Sequence, residues 1–205
     1  MDRLKRNLQL AGFNIAALAG AAMLLSYVNV WERVSVASAW LCMLFLSGAL
    51  LIGPLRRAAG QAAPANIYLR RDLGIWAGLQ GLLHSYAGTV VSMNQSYIDA
   101  FVNADAPPLN ATVRYELFFW SGTGAFVVSL LFIFLLLISS DRALRWLGVD
   151  RWKKFQRSAY VALWLTVLHG LAFQILEGRY LPFAVFAVIS LVVFWLQFRG
   201  RRRSA

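Results

Sequence analysis

The chain divides into six apolar runs of about 20 residues, roughly 9–30, 35–54, 73–93, 117–138, 156–176 and 181–198. A run of that length, wound as a helix, crosses the hydrocarbon of a bilayer. In lipid each backbone N–H and C=O must be satisfied within its own segment or a closed barrel, so runs this long and apolar are expected to be helices. The composition agrees. Hydrophobic residues make up 60% of the chain, whereas soluble domains sit nearer one half. The expected fold is therefore all-α: a six-helix transmembrane bundle forming one domain over residues 1–205. The connecting segments are too short to fold as soluble modules.

A formal net charge of +11 raises nucleic acid as a partner. The distribution of that charge points to a lipid bilayer instead. Arg3, Lys5 and Arg6 precede the first run, and Arg56, Arg57, Arg70 and Arg71 lie between the second and third. Arg142, Arg145, Arg151, Lys153, Lys154 and Arg157 separate the fourth and fifth, and Arg199, Arg201, Arg202 and Arg203 follow the sixth. With six spans, all of these fall on one side. The other side keeps only Arg33, Arg114 and Arg179, with Glu32, Asp99, Asp105, Glu116 and Glu177. This is the positive-inside pattern. It puts both termini in the cytoplasm and predicts a multi-pass protein of a bacterial-type inner (cytoplasmic) membrane.

The opening MDRLKRN resembles the n-region of a secretory signal. The apolar stretch behind it is too long for an h-region, and Tyr27, Asn29 and Trp31 make a poor cleavage site, so a retained helix is expected. Asp72 is read as the N-cap of the third helix. Pro107 and Pro108 predict an extended connection. Segment 139–155 reads as a short interfacial piece with Trp146 and Trp152 at headgroup level. Cys42 is the single cysteine and forms no internal disulfide.

His84 and His169 are the only histidines, and both lie inside apolar runs. An imidazole in hydrocarbon is costly unless it has a partner or a metal. His84 lies eleven residues beyond Leu73, roughly 17 Å along its helix, and His169 thirteen beyond Gln156, roughly 20 Å. Both helices run outward, so the two rings are expected at one depth. That is the condition for two axial ligands on one haem iron. Gly81 and Gly88 flank His84 on its own face. Missing side chains there would let a macrocycle approach the backbone, or let helices pack closely. Zinc fits less well, because its structural and catalytic sites want four or three protein ligands. The plainer alternative is a pair of hydrogen-bonded interhelical histidines.

In the segments YLRRDLGIWAGLQGLLHSYAG (68–88) and WKKFQRSAYVALWLTVLHGLAF (152–173), the chain resembles the ferric reductase-like transmembrane domain family. That family includes the membrane cores of NADPH oxidases and ferric reductases and the haem subunit of the bacterial periplasmic methionine sulfoxide reductase. Two-haem members carry a second, inner pair of histidines on the same helices. Here Arg70 and Gln156 stand at those positions, and Phe155-Gln156-Arg157 replaces the sulfoxide-reductase subgroup's Leu-His-Arg. The resemblance implies one haem b, ligated by His84 and His169 toward the outer leaflet. Arg179 is the first choice for its propionates. With the inner haem gone, Trp76 and Trp164 become candidate relays, or a flavin or quinone takes the vacated space.

No dinucleotide fingerprint is present, so no flavin or nicotinamide domain is expected in this chain. The functional expectation is a membrane haem b electron-transfer (oxidoreductase) component. Its donor would be a cytoplasmic flavin reductase or the quinone pool, and its acceptor would lie on the periplasmic or extracellular side. The alternative is a non-redox scaffold or transporter. Transporters favour intramembrane acids or interrupted helices, whereas Gln80 and Gln174 are the clearest polar residues in these spans.

Overall fold

Hydropathy finds the apolar centre of each helix but not its ends, and the ends are where the fold adds most. The computed structural model describes residues 3–25, 29–60, 67–93 and 110–202. Its helices are α1 (Arg3–Leu24), α2 (Val30–Ala58), α3 (Ile67–Ser92), α4 (Ala111–Ile138), α5 (Asp141–Leu147), α6 (Val149–Gln156), α7 (Ser158–Leu176) and α8 (Tyr180–Arg202). There is no strand among the described residues. Five helical segments are long and apolar enough to cross a membrane: α1, α2, α4, α6 continuing into α7, and α8. The chain is thus all-helical with the build of a multi-pass membrane protein. Trp120, Phe126, Leu137 and Leu191 are exposed on the outside of the bundle, the surface that lipid tails would cover.

α3 is the exception. It has 26 residues, about 39 Å of helix, but Arg70, Arg71, Asp72, Gln80 and His84 lower its hydropathy. It packs chiefly against α2, and also against α4 and α1. Those neighbours supply partners for its polar groups. Gln80 donates to Asn14 of α1 at 2.6 Å, and Arg70 donates to the Ala49 carbonyl of α2 at 3.1 Å. The apolar core is built from α2, α3, α4, α7 and α8, with Met43, Phe45, Phe132, Leu163 and Phe186 buried in it.

Several expected boundaries move outward. The basic segment from Arg3 onward belongs to α1, and α3 begins at Ile67. Asp72 is therefore not an N-cap. It lies inside α3, wholly buried, and accepts hydrogen bonds from Arg3 at 3.1 Å and from Arg6. This ion-pair cluster ties α1 to α3. At the start of α4, Asn110 is the N-cap, its side chain accepting from the Val113 N–H at 2.9 Å. The expectations for Tyr27, Asp99, Asp105, Pro107, Pro108 and Arg203 lie outside the described residues.

The interfacial segment resolves into α5 and α6, which meet at Gly148, where φ is 72°. That left-handed conformation favours glycine. Trp146 is exposed, in keeping with an interfacial anchor. Trp152 is not: it is buried, and its Nε1–H donates to the Ile138 carbonyl at 2.8 Å. Arg71 of α3 donates to Asp141, tying α5 to α3.

Candidate metal centre

His84 projects from α3 and His169 from α7, and their Nε2 atoms face each other across 3.5 Å. The ring planes cross at 70° with centroids 5.7 Å apart. The far side of each ring is fixed in the same way. Nδ1 of His84 lies 2.9 Å from the Ser35 carbonyl of α2. Nδ1 of His169 lies 3.1 Å from the Ser121 carbonyl of α4. The hydroxyls of the same two serines are each 3.1 Å from the Nδ1 they face.

A carbonyl only accepts, so each Nδ1 carries the proton. In the neutral rings both Nε2 atoms then present lone pairs, aimed at one another. Such an arrangement is stabilised by a cation between them. A backbone carbonyl on the remote nitrogen is also the partner that metal-bound imidazoles commonly have. At 3.5 Å the two Nε2 atoms stand closer than two metal–imidazole bonds would span, so the rings would have to separate to admit an ion. Among the described residues, no group of three or more His, Cys, Asp or Glu is placed to hold a metal ion. With no third protein ligand among the described residues, His84 and His169 would suit an iron whose other donors come with the cofactor. The donor set therefore fits haem.

The flanking residues divide. Gly81 is a packing site: a Cβ there would stand 2.4 Å from the ring of Phe132 of α4. Gly88 lies beside the Nδ1 partner of His84, its would-be Cβ 3.7 Å from the Ser35 hydroxyl. Arg179 forms an ion pair with Glu177 just beyond α7. Arg114 is buried and donates to the Leu176 carbonyl at 2.9 Å, capping the end of α7. Trp76 donates to Asn7 of α1 at 3.2 Å. Trp164 stacks on Phe194 of α8, with centroids 4.1 Å apart. Each tryptophan is thus engaged with a different outer helix. Sequence reasoning missed Ser35 and Ser121. Their decisive atoms are backbone carbonyls, which carry no residue signature.

A second feature lies on the same two helices. Gly74 and Ala159 each precede their helix's histidine by ten residues, about 15 Å. At that level a cavity of about 350 Å³ opens between α2, α3, α4, α6 and α7. Arg70 and Gln156 both line it. Arg71, Lys153 and Arg157 add cations, and no Asp or Glu is among its lining residues. Arg71 is buried, and although Nη1 is held by Asp141, its Nε and Nη2 have no hydrogen-bond partner among the described residues. The Gln156 amide nitrogen is likewise unpartnered. A buried donor without an acceptor costs about 1–3 kcal/mol, more when it is charged.

No protein-family model matches this chain, and no solved structure matches it. The chemistry of these two levels therefore rests on their own geometry.

Proposed function

We propose that the chain is a haem b electron-transfer protein of a cytoplasmic membrane, with six spans including α3 and both termini in the cytoplasm. The observation that carries this is the facing pair of Nε2 atoms, each on a ring whose Nδ1 proton is held by a backbone carbonyl. The resemblance of segments 68–88 and 152–173 to the ferric reductase-like family supports it. So does the meeting of Arg70 and Gln156 on one cavity, since these stand at the inner-ligand positions of that family.

Haem, when bound, would supply a one-electron couple, with His84 and His169 as the residues that would hold it. The chain's own contribution is to hold and shield. Ser35 and Ser121 keep the protons on Nδ1, which leaves both Nε2 lone pairs for the iron. Because those carbonyls belong to α2 and α4, four helices set the two ring orientations. Such a centre would pass electrons on and bind no substrate itself. The donor in this proposal is a cytoplasmic flavin reductase or quinol, and the acceptor lies outside. Arg179, at the far end of α7, remains the first propionate partner to test.

The test is a pigment spectrum of the purified protein beside His84→Ala and His169→Ala. A Soret band that shifts on dithionite reduction is expected in the wild type and should be lost in both variants. A colourless wild type, even after expression with added haem, would overturn the proposal. It would favour the second reading, a non-redox scaffold in which one of the two rings carries an additional proton on Nε2 and donates it to the other across 3.5 Å.

A further inference from the structure

We propose that the cavity beneath the histidine pair binds a phosphate group, carried by an anionic phospholipid of the membrane. The site does not depend on the iron, but it takes its headgroup-level position from the orientation proposed above. Arg70, Arg71, Lys153 and Arg157 line the cavity with no carboxylate among them. Basic pockets between spans on the cytoplasmic side are where acidic lipid headgroups bind.

The buried donors make the assignment more specific than charge alone. Asp141 engages Nη1 of Arg71 and so fixes the guanidinium plane. The unpartnered Nε and Nη2 lie along one edge of that plane. Two parallel N–H groups match two oxygens of one phosphate. The Gln156 amide adds a further unpartnered donor from α6. The remaining walls are apolar, with Leu46, Leu50, Leu135 and Ala159 available to the glycerol and first methylenes. The volume of about 350 Å³ lies within the range of small-ligand sites.

Gly74 provides a blocking variant whose added Cβ meets open space. It lines the cavity, and a Cβ built there meets nothing within 4 Å. The experiment uses full-length protein, delipidated in detergent and then offered phosphatidylglycerol, phosphatidylcholine or inorganic phosphate. Retained lipid is counted by native mass spectrometry, and protection is read as a shift in thermal unfolding.

Wild type should retain one phosphatidylglycerol in preference to phosphatidylcholine. Gly74→Leu and Arg71→Gln should each weaken that retention about tenfold or more. His84→Ala should leave it unchanged, which separates this site from the iron proposal. Protection by inorganic phosphate but not by phosphatidylglycerol, abolished by Gly74→Leu, would overturn the lipid assignment and show a soluble phosphate ester as the occupant. Equal retention and equal protection in wild type, Gly74→Leu and Arg71→Gln would overturn the site altogether.

Discussion

Helices α3 and α7 face each other at two levels about 15 Å apart, and the two levels are built on opposite principles. At the upper level the rings of His84 and His169 have their remote nitrogens satisfied and their near nitrogens aimed at one point. Gly81 is pressed against Phe132. At the lower level the helices stand around a cavity, and Arg71 and Gln156 present donors with nothing to accept them. One level offers lone pairs to a cation, and the other offers N–H groups to an anion. Helix α3 thus takes part in two unlike sites, completed by α7 at the upper level and by α6 and α7 at the lower, because what differs is the residues at each level and how tightly the neighbours close over them.

The contrast can be broken by substitutions at matched places, beginning with the largest effect. Asp72 anchors α1 to the lower level. Asp72→Asn leaves Arg6 buried without its counter-charge, and removing one partner of a buried ion pair costs about 3–5 kcal/mol. Denaturant titration in mild detergent should show that loss. A change near zero would mean that the lower level is open enough for water to reach Arg6.

Two of the glycines of α3, Gly81 and Gly74, should then respond with opposite signs. Gly81→Ala drives a methyl into the Phe132 ring, and overpacking of this kind costs about 1–3 kcal/mol. Adding Phe132→Leu should recover part of it, a non-additivity that a double-mutant cycle measures directly. Gly74→Ala meets open space, so the gain in helix propensity should stabilise by about 0.5–1 kcal/mol. Equal effects at the two positions would erase the distinction between a packed and an open level.

The smallest effect concerns pH at the base of the bundle. The hydrogen bond and charge of Arg71 hold the Asp141 carboxyl below its usual range. A depressed carboxylate contributes stability that is present above its unfolded pKa and lost as pH falls through the folded value. Acidification below about pH 4 should therefore loosen α5 from α3, visible as lower amide protection factors in 141–147 while α7 stays protected. Asp141→Asn should remove that pH dependence. Protection factors that do not change with pH would place the tie elsewhere.

Much of this was legible in the sequence for a simple reason. The free energy of placing a helix in lipid is nearly a sum over its own residues, so the apolar centres of α1, α2, α4, α7 and α8 could be read locally. His84 and His169 were conspicuous as the only imidazoles in those runs. The ends of the helices were not legible, because polar residues stop a helix or continue it according to what they meet. YLRRD reads as a connection followed by a cap, yet α1 brings Arg3 and Arg6 to Asp72, and α3 runs through it. Trp152 resembles an interfacial anchor, but the Ile138 carbonyl draws it inside.

What the sequence determined by itself was an apolar helical chain, strongly basic in alternate connections, with two imidazoles on separate helices. Tertiary structure alone decided that those imidazoles meet, that carbonyls of Ser35 and Ser121 choose their tautomer, and that Arg70, Arg71 and Gln156 surround one cavity. The division follows from the forces involved. Hydropathy adds along a chain, whereas the direction of a lone pair or an unpaired N–H acquires meaning only from the atom that another helix places in front of it.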